Sequence, residues 1–133
     1  MPDLPHALTL RVYWEYTDAG GVVFYANYLK FFERARTEWL RERGFSLSVL
    51  AKENISFAVR HVDIDYIAPA KIDDIVILET DVLQTGFCQL QFKQKMMLQD
   101  QKLLAEANVD VVCVNQNMMP RRLPRQICKE CLK

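Results

Sequence analysis

The sequence predicts an α+β domain in which one long amphipathic helix packs against an antiparallel sheet. Three observations carry that expectation. Apolar and polar residues alternate over positions 8–16, apolar residues recur at helical spacing from 28 to 40, and four later stretches rich in Val, Ile, Leu or Phe follow, the last three joined by links too short for parallel crossovers. A chain of 133 residues holds one core, so residues 1–133 are read as a single domain.

Leu8, Leu10, Val12, Trp14 and Tyr16 alternate with Thr9, Arg11, Tyr13 and Glu15, the two-residue period of a strand with one buried face. After Gly20 and Gly21 the period changes. Tyr28, Phe32, Ala35 and Trp39 define a helical stripe widened by Leu29, Phe31 and Leu40, while Lys30, Glu33, Arg34, Arg41 and Glu42 fill the opposite face. Asn27 is suited to cap this helix and Gly44 to end it. A short mixed connection then leads to strands at about 56–67, 75–83, 87–98 and 103–115, the last three forming a meander. Such a sheet has exposed edges, and pairing with a second copy would cover one of them, so a symmetric homodimer is expected.

Composition narrows the function. Seventeen Lys+Arg balance seventeen Asp+Glu, which argues against a surface built to neutralise nucleic-acid phosphates. The balance conceals a basic tail, since residues 120–133 hold five basic side chains and one acidic one. That tail reads either as a solvated, partly frayed terminus or as a place where Arg121, Arg122 and Arg125 meet an anionic group. The first thirty residues lack a secretory leader pattern and no apolar run is long enough to span a bilayer, so a cytoplasmic protein is expected. Cys128 and Cys131 form a C-x-x-C without a second pair, and His61, Asp63 and Asp65 alternate along one strand. The cysteine pair lacks the four ligands of a structural zinc, the strand set reads as a solvated face or a metal site, and no metal or cofactor is expected. The glycine motifs of dinucleotide and P-loop sites and the G-x-S-x-G nucleophile elbow are all missing.

What remains is the junction of the first strand with the long helix, Tyr16 to Asn27. One carboxylate, Asp18, follows the strand. Two glycines then free the backbone, and an apolar run enters the helix start, where unpaired N–H groups and the helix dipole stabilise negative charge. Composition leaves Asp18 open between two roles: a turn residue that bonds its own backbone, or an ionised carboxylate beside donors for an oxyanion.

The stretch V-Y-W-E-Y-T-D-A-G-G-V-V-F-Y-A-N-Y-L, within Val12 to Leu40, resembles the hotdog-fold acyl-CoA thioesterases of the 4-hydroxybenzoyl-CoA thioesterase family, most nearly the Tol-Pal-associated branch. The resemblance runs on through Asp65 to Asp74 and ends with Pro120 to Pro124, covering nearly the whole chain. It implies a sheet wrapped around a central helix, dimers and often tetramers, active sites at the dimer interface, and hydrolysis of acyl-CoA. It makes Asp18 the catalytic carboxylate, attacking the thioester carbonyl or activating a water, and gives the Tyr25 position a backbone N–H that polarises that carbonyl. Val22, Val23 and Phe24 are expected to line the acyl end. Three departures stand out: the family branch often has His where this chain has Tyr25 and an acidic residue where it has Tyr16, and Gln84-Thr85-Gly86 replaces arginines that hold CoA phosphates in some relatives. Arg121 and Arg122 are the alternative phosphate contacts. Two rival functions remain. A hotdog dehydratase would need a histidine, and residues 12–44 contain none. A non-catalytic module that binds acyl thioesters or an acyl carrier protein, tethered at the inner membrane by the basic tail, would leave Asp18 without a task.

Overall fold

The computed structural model describes residues 5–129. Its sheet contains β1 (His6–Arg11), β2 (Ser56–Tyr66), β3 (Ile75–Gln84), β4 (Gln89–Leu98) and β5 (Leu103–Val114). The order is β1-β3-β4-β5-β2 and every pairing is antiparallel, so the expected meander forms the centre and β1 and β2 the two edges. Alternate residues of β3, β4 and β5 point inward, among them Leu78, Leu90, Phe92, Met96 and Val109, and meet α1 (Asn27–Glu42). The helix buries Tyr28, Phe31, Phe32, Ala35, Trp39 and Leu40, as its spacing predicts. It ends as expected at Gly44, whose N–H bonds Arg41 O while that of Phe45 bonds Leu40 O, the paired bonds of a Schellman cap.

Several expectations need revision. β1 stops at Arg11, because its partner β3 begins at the opposite residue, Ile75, and beyond that there is no ladder to join. Val12 bonds the loop at Asp73 and Asp74 instead, and residues Trp14–Tyr16 form a 3-10 turn that leaves Trp14 75% exposed rather than buried. Asn27 does not cap α1. Ala26 is the cap residue, without a side-chain bond, and the Asn27 amide Nδ2 donates to Tyr16 O at 2.9 Å. Leu29, placed in the buried stripe by its spacing, is 41% exposed. The mixed connection contains α2 (Leu47–Lys52), capped by Ser46, whose Oγ accepts from Val49 N. The tail is not frayed through residue 127, since Leu123 and Ile127, the latter in α3 (Arg125–Lys129), are buried in the core. The side chains of Cys128 and Cys131 lie outside the described residues. Among the described residues no helix is long and apolar enough to cross a membrane.

One polar group sits at the centre of the helix–sheet contact. Gln94 is buried on β4, where its Nε2 donates to Phe32 O at 2.9 Å and to Thr80 Oγ1 at 3.1 Å, and its Oε1 accepts from Arg36 Nη1. Burial strips Arg36 of water and lowers its pKa, and the charge of Glu33 only partly offsets this. Replacing Gln94 by Met keeps the bulk but strands these partners, so Gln94→Met is expected to cost about 1–3 kcal/mol in urea unfolding. An unchanged unfolding midpoint would show that the network adds nothing to stability.

Candidate active site

The segment between β1 and α1 folds back on itself as a small hairpin. Thr17 bridges Val23, Asp18 N–H bonds Val22 O at 2.9 Å, and Phe24 N–H bonds Tyr16 O at 2.9 Å. The reversal needs its glycines. Gly21 has φ +79°, a conformation costly for other residues, and a Cβ on Gly20 would stand 3.3 Å from Asp18 Oδ1. That oxygen accepts the Gly20 N–H at 2.8 Å, so Asp18 makes the local turn while remaining exposed to solvent. The hairpin is anchored from outside by Val23 N–H on Ala70 O and Ile72 N–H on Gly21 O.

The hairpin leads directly into the first turn of α1, which closes through short-range bonds: Asn27 N–H to Phe24 O at 2.8 Å and Leu29 N–H to Ala26 O at 3.2 Å. The amides of Tyr25 and Ala26 donate to no acceptor among the described residues. They form the positive end of a sixteen-residue helix, an arrangement that attracts a developing negative charge. Tyrosines tie this turn to the end of β2. Tyr66 Oη donates to Tyr25 O at 2.9 Å, and Tyr28 Oη accepts from Ala70 N at 3.0 Å. The rings of Tyr66 and Tyr28 meet edge to face with centroids 5.0 Å apart. Partial desolvation raises the phenol pKa of Tyr66, and the neighbouring Tyr28 and Tyr25 push it the same way.

Beside this turn opens a cleft of about 280 Å³, lined by Val23, Tyr25, Tyr28, Tyr66 and residues 67–69. Its lining is largely apolar, as an acyl chain requires. A second depression of about 330 Å³ lies over the outer face of the sheet, but Glu79, Asp81, Lys93, Lys95 and Glu106 line it, a poor match for an apolar group. On that outer face His61, Asp63 and Asp65 stand opposite Asp110, Asn108 and Glu106, and among the described residues no three metal-ligating side chains converge.

Of the residues singled out in the sequence, Val23 and Tyr25 line the cleft; Val22 and Phe24 do not, Val22 bridging Lys71 and the Phe24 ring lying tilted against Tyr25. Asp18 does not line it either, but stands one hairpin position from Val23. Arg121 lies elsewhere. Its Nη1 donates to the carbonyls of Glu53 and Asn54, closing the end of α2 just before β2, while Arg122 is exposed next to it. The ten residue steps of β2 separate that corner from Tyr66 by roughly 33 Å. The sequence placed Tyr28 only in the buried helical stripe and gave Tyr66 no role in the site. A tyrosine ending a strand just before Ala68-Pro69 was the available signal, but nothing in its spacing linked it to the helix start.

The model of the thioesterase superfamily matches residues 20–105. An acyl-CoA thioester hydrolase, YbgC, of Escherichia coli O6:H1 is 45% identical over 91% of this chain and 91% of its own length. The acyl-CoA thioesterase YbgC of Haemophilus influenzae is 41% identical over 96% of this chain and 94% of its own. Among solved structures, a probable thioesterase from Bartonella henselae superposes with a TM-score of 0.86 at 35% identity, covering 90% of this chain and 99% of that one. With its five-stranded antiparallel sheet, its central helix and these relatives, the chain belongs to the thioesterase superfamily and has its hotdog fold.

Proposed function

We propose that this protein is an acyl-CoA thioester hydrolase whose reaction takes place where the Asp18 hairpin meets α1. The observation that carries the reading is the pair of unbonded amides at Tyr25 and Ala26, one step beyond the hairpin that holds Asp18 and beside an apolar cleft. The relatives named as acyl-CoA thioester hydrolases support the substrate class.

In this reading the thioester carbonyl oxygen accepts from the Tyr25 N–H, with the Ala26 N–H as a second donor. The oxyanion that forms on attack is stabilised by donors already aligned, which is where such sites gain most of their rate. Asp18 acts in one of two ways. Its carboxylate oxygen bonds to the carbonyl carbon and expels CoA thiolate, leaving a mixed anhydride that water cleaves; or it takes a proton from the water that attacks. Thiolate leaves without a strong acid, so a chain with no histidine from 12 to 44 is not handicapped. Val23 walls the cleft where the acyl chain begins, and Val22 and Phe24 flank the hairpin beside it.

The same reading includes a homodimer. β2 is an edge strand of eleven residues whose inward-facing Val59, Val62 and Tyr66 are left exposed, Val62 at 37%. A two-fold pairing of β2 with its copy covers this apolar strip and runs the two strands antiparallel. The start of the partner's β2 then lies near this chain's Tyr66, which brings the partner's Arg122, with Arg121 beside it, toward the mouth of the cleft as a contact for CoA phosphate.

Asp18→Asn keeps the acceptor for the Gly20 N–H, so the fold is expected to survive while thiol release from acyl-CoA falls about 100-fold or more. Undiminished turnover would return Asp18 to its turn role and reject it as the catalytic carboxylate. Sedimentation equilibrium is expected to give a dimer for the parent and a monomer for Val62→Lys, which places a charge on the covered strip; a fully active parent monomer would contradict the paired edge.

A further inference from the structure

We propose that Tyr66 is a positioning residue for the reaction, holding and polarising the Tyr25–Ala26 peptide through the bond from its phenol to Tyr25 O. The inference rests on the reading of the α1 start as the oxyanion site, and adds to it a residue on a different element with a defined task.

The helix start lacks the usual means of holding itself. Ala26, the cap residue, offers no side-chain acceptor or donor, and the carbonyl of Tyr25 receives only a long 3.4 Å contact from Tyr28 N–H within the turn. Its short partner is Tyr66 Oη at 2.9 Å, forty-one residues away at the end of β2. That bond acts on the peptide unit shared by Tyr25 and Ala26. Donation to its carbonyl draws electron density toward the oxygen and makes the Ala26 N–H on the same unit a stronger donor, the cooperative effect seen along hydrogen-bonded chains. It also fixes the plane of the peptide, which sets the direction in which that N–H points. The ring is itself held, by edge-to-face contacts with Tyr28 at 5.0 Å and Tyr25 at 6.4 Å. Tyr28 is in turn anchored by Ala70 N–H. The site therefore depends on a chain of contacts from Ala70 through Tyr28 and Tyr66 to the Tyr25 carbonyl.

A phenol can donate only while protonated. Among the described residues, the titratable groups facing it are Tyr25 from the approach to α1 and Tyr28 from α1 itself; across the ladder stands Ala105 on β5, and Asp65 and Glu106 lie on the opposite face. No carboxylate or cation confronts the hydroxyl, so its ionisation can be varied without disturbing an ion pair.

The test uses the full chain and an acyl-CoA series read by thiol release. Tyr66→Phe is expected to lower kcat about 10-fold with KM within twofold of the parent, since ground-state binding through the cleft is kept and only the aligned donor is weakened. Replacing Tyr66 by 3,5-difluorotyrosine, a more acidic phenol of the same shape, is expected to keep near-parental kcat at low pH. It should also introduce a fall in kcat as pH rises through the fluorophenol pKa, a limb that neither the parent nor Tyr66→Phe shows in that range. A lost packing contact would move none of these pH profiles. Parental kcat in Tyr66→Phe, or no new limb in the fluorinated protein, overturns the inference while an inactive Asp18→Asn leaves the site reading standing; an active Asp18→Asn overturns both.

Discussion

The start of α1 is held by its surroundings and not by a cap of its own, and the rest of the site depends on that constraint. A capping side chain would occupy the first free amides of the helix. Here Asn27 turns back to Tyr16 O, Ala26 contributes no side-chain bond, and the turn is fixed from three sides: the hairpin through Phe24 N–H, the 70–72 loop through Val23 N–H, and β2 through Tyr66. The consequence is a helix end that is rigid yet chemically open. Rigidity without an internal partner is what a charge-developing reaction needs from its donors, because nothing has to be displaced or reordered as the oxyanion appears.

The fold supplies the anchors for reasons that have little to do with chemistry. Because β3 begins opposite Arg11, β1 runs out of partners and the chain must leave the sheet, which generates the 3-10 turn and then the hairpin. Because β2 pairs only with β5, its other edge and the cleft at its end are both open on the same side of the molecule. Site and exposed edge thus coincide, and in the proposed assembly a second copy both buries the apolar strip and completes the approach for the CoA moiety.

Much of this was legible in the residues. The helical stripe of Tyr28, Phe32, Ala35 and Trp39, the stop at Gly44 and the meander follow from periodicity and link length, and they appear where expected. The two glycines also marked the reversal that Gly21 makes with positive φ. Features set by long-range partners were not legible. Alternation carried the first strand through Tyr16, because local pattern cannot reveal where the neighbouring strand begins. Asn27 has the composition of a cap, but an acceptor eleven residues upstream claims its amide. Arg121 looked like an anion contact from its basic neighbourhood, and it is engaged by carbonyls at the end of α2. Gln94 and Tyr66 act across separations of 62 and 41 residues, beyond the reach of any local pattern.

The central claim is that the free amides of the α1 start receive the thioester oxygen. It is tested most directly by amide NMR of the ¹⁵N-labelled protein titrated with an acyl-CoA analogue in which a methylene replaces the sulfur, so that the carbonyl is kept but cannot be hydrolysed. The account predicts that the Tyr25 and Ala26 amide protons move downfield with saturation, ahead of the rest of the chain. Saturable binding that leaves both resonances in place while perturbing another surface would contradict it.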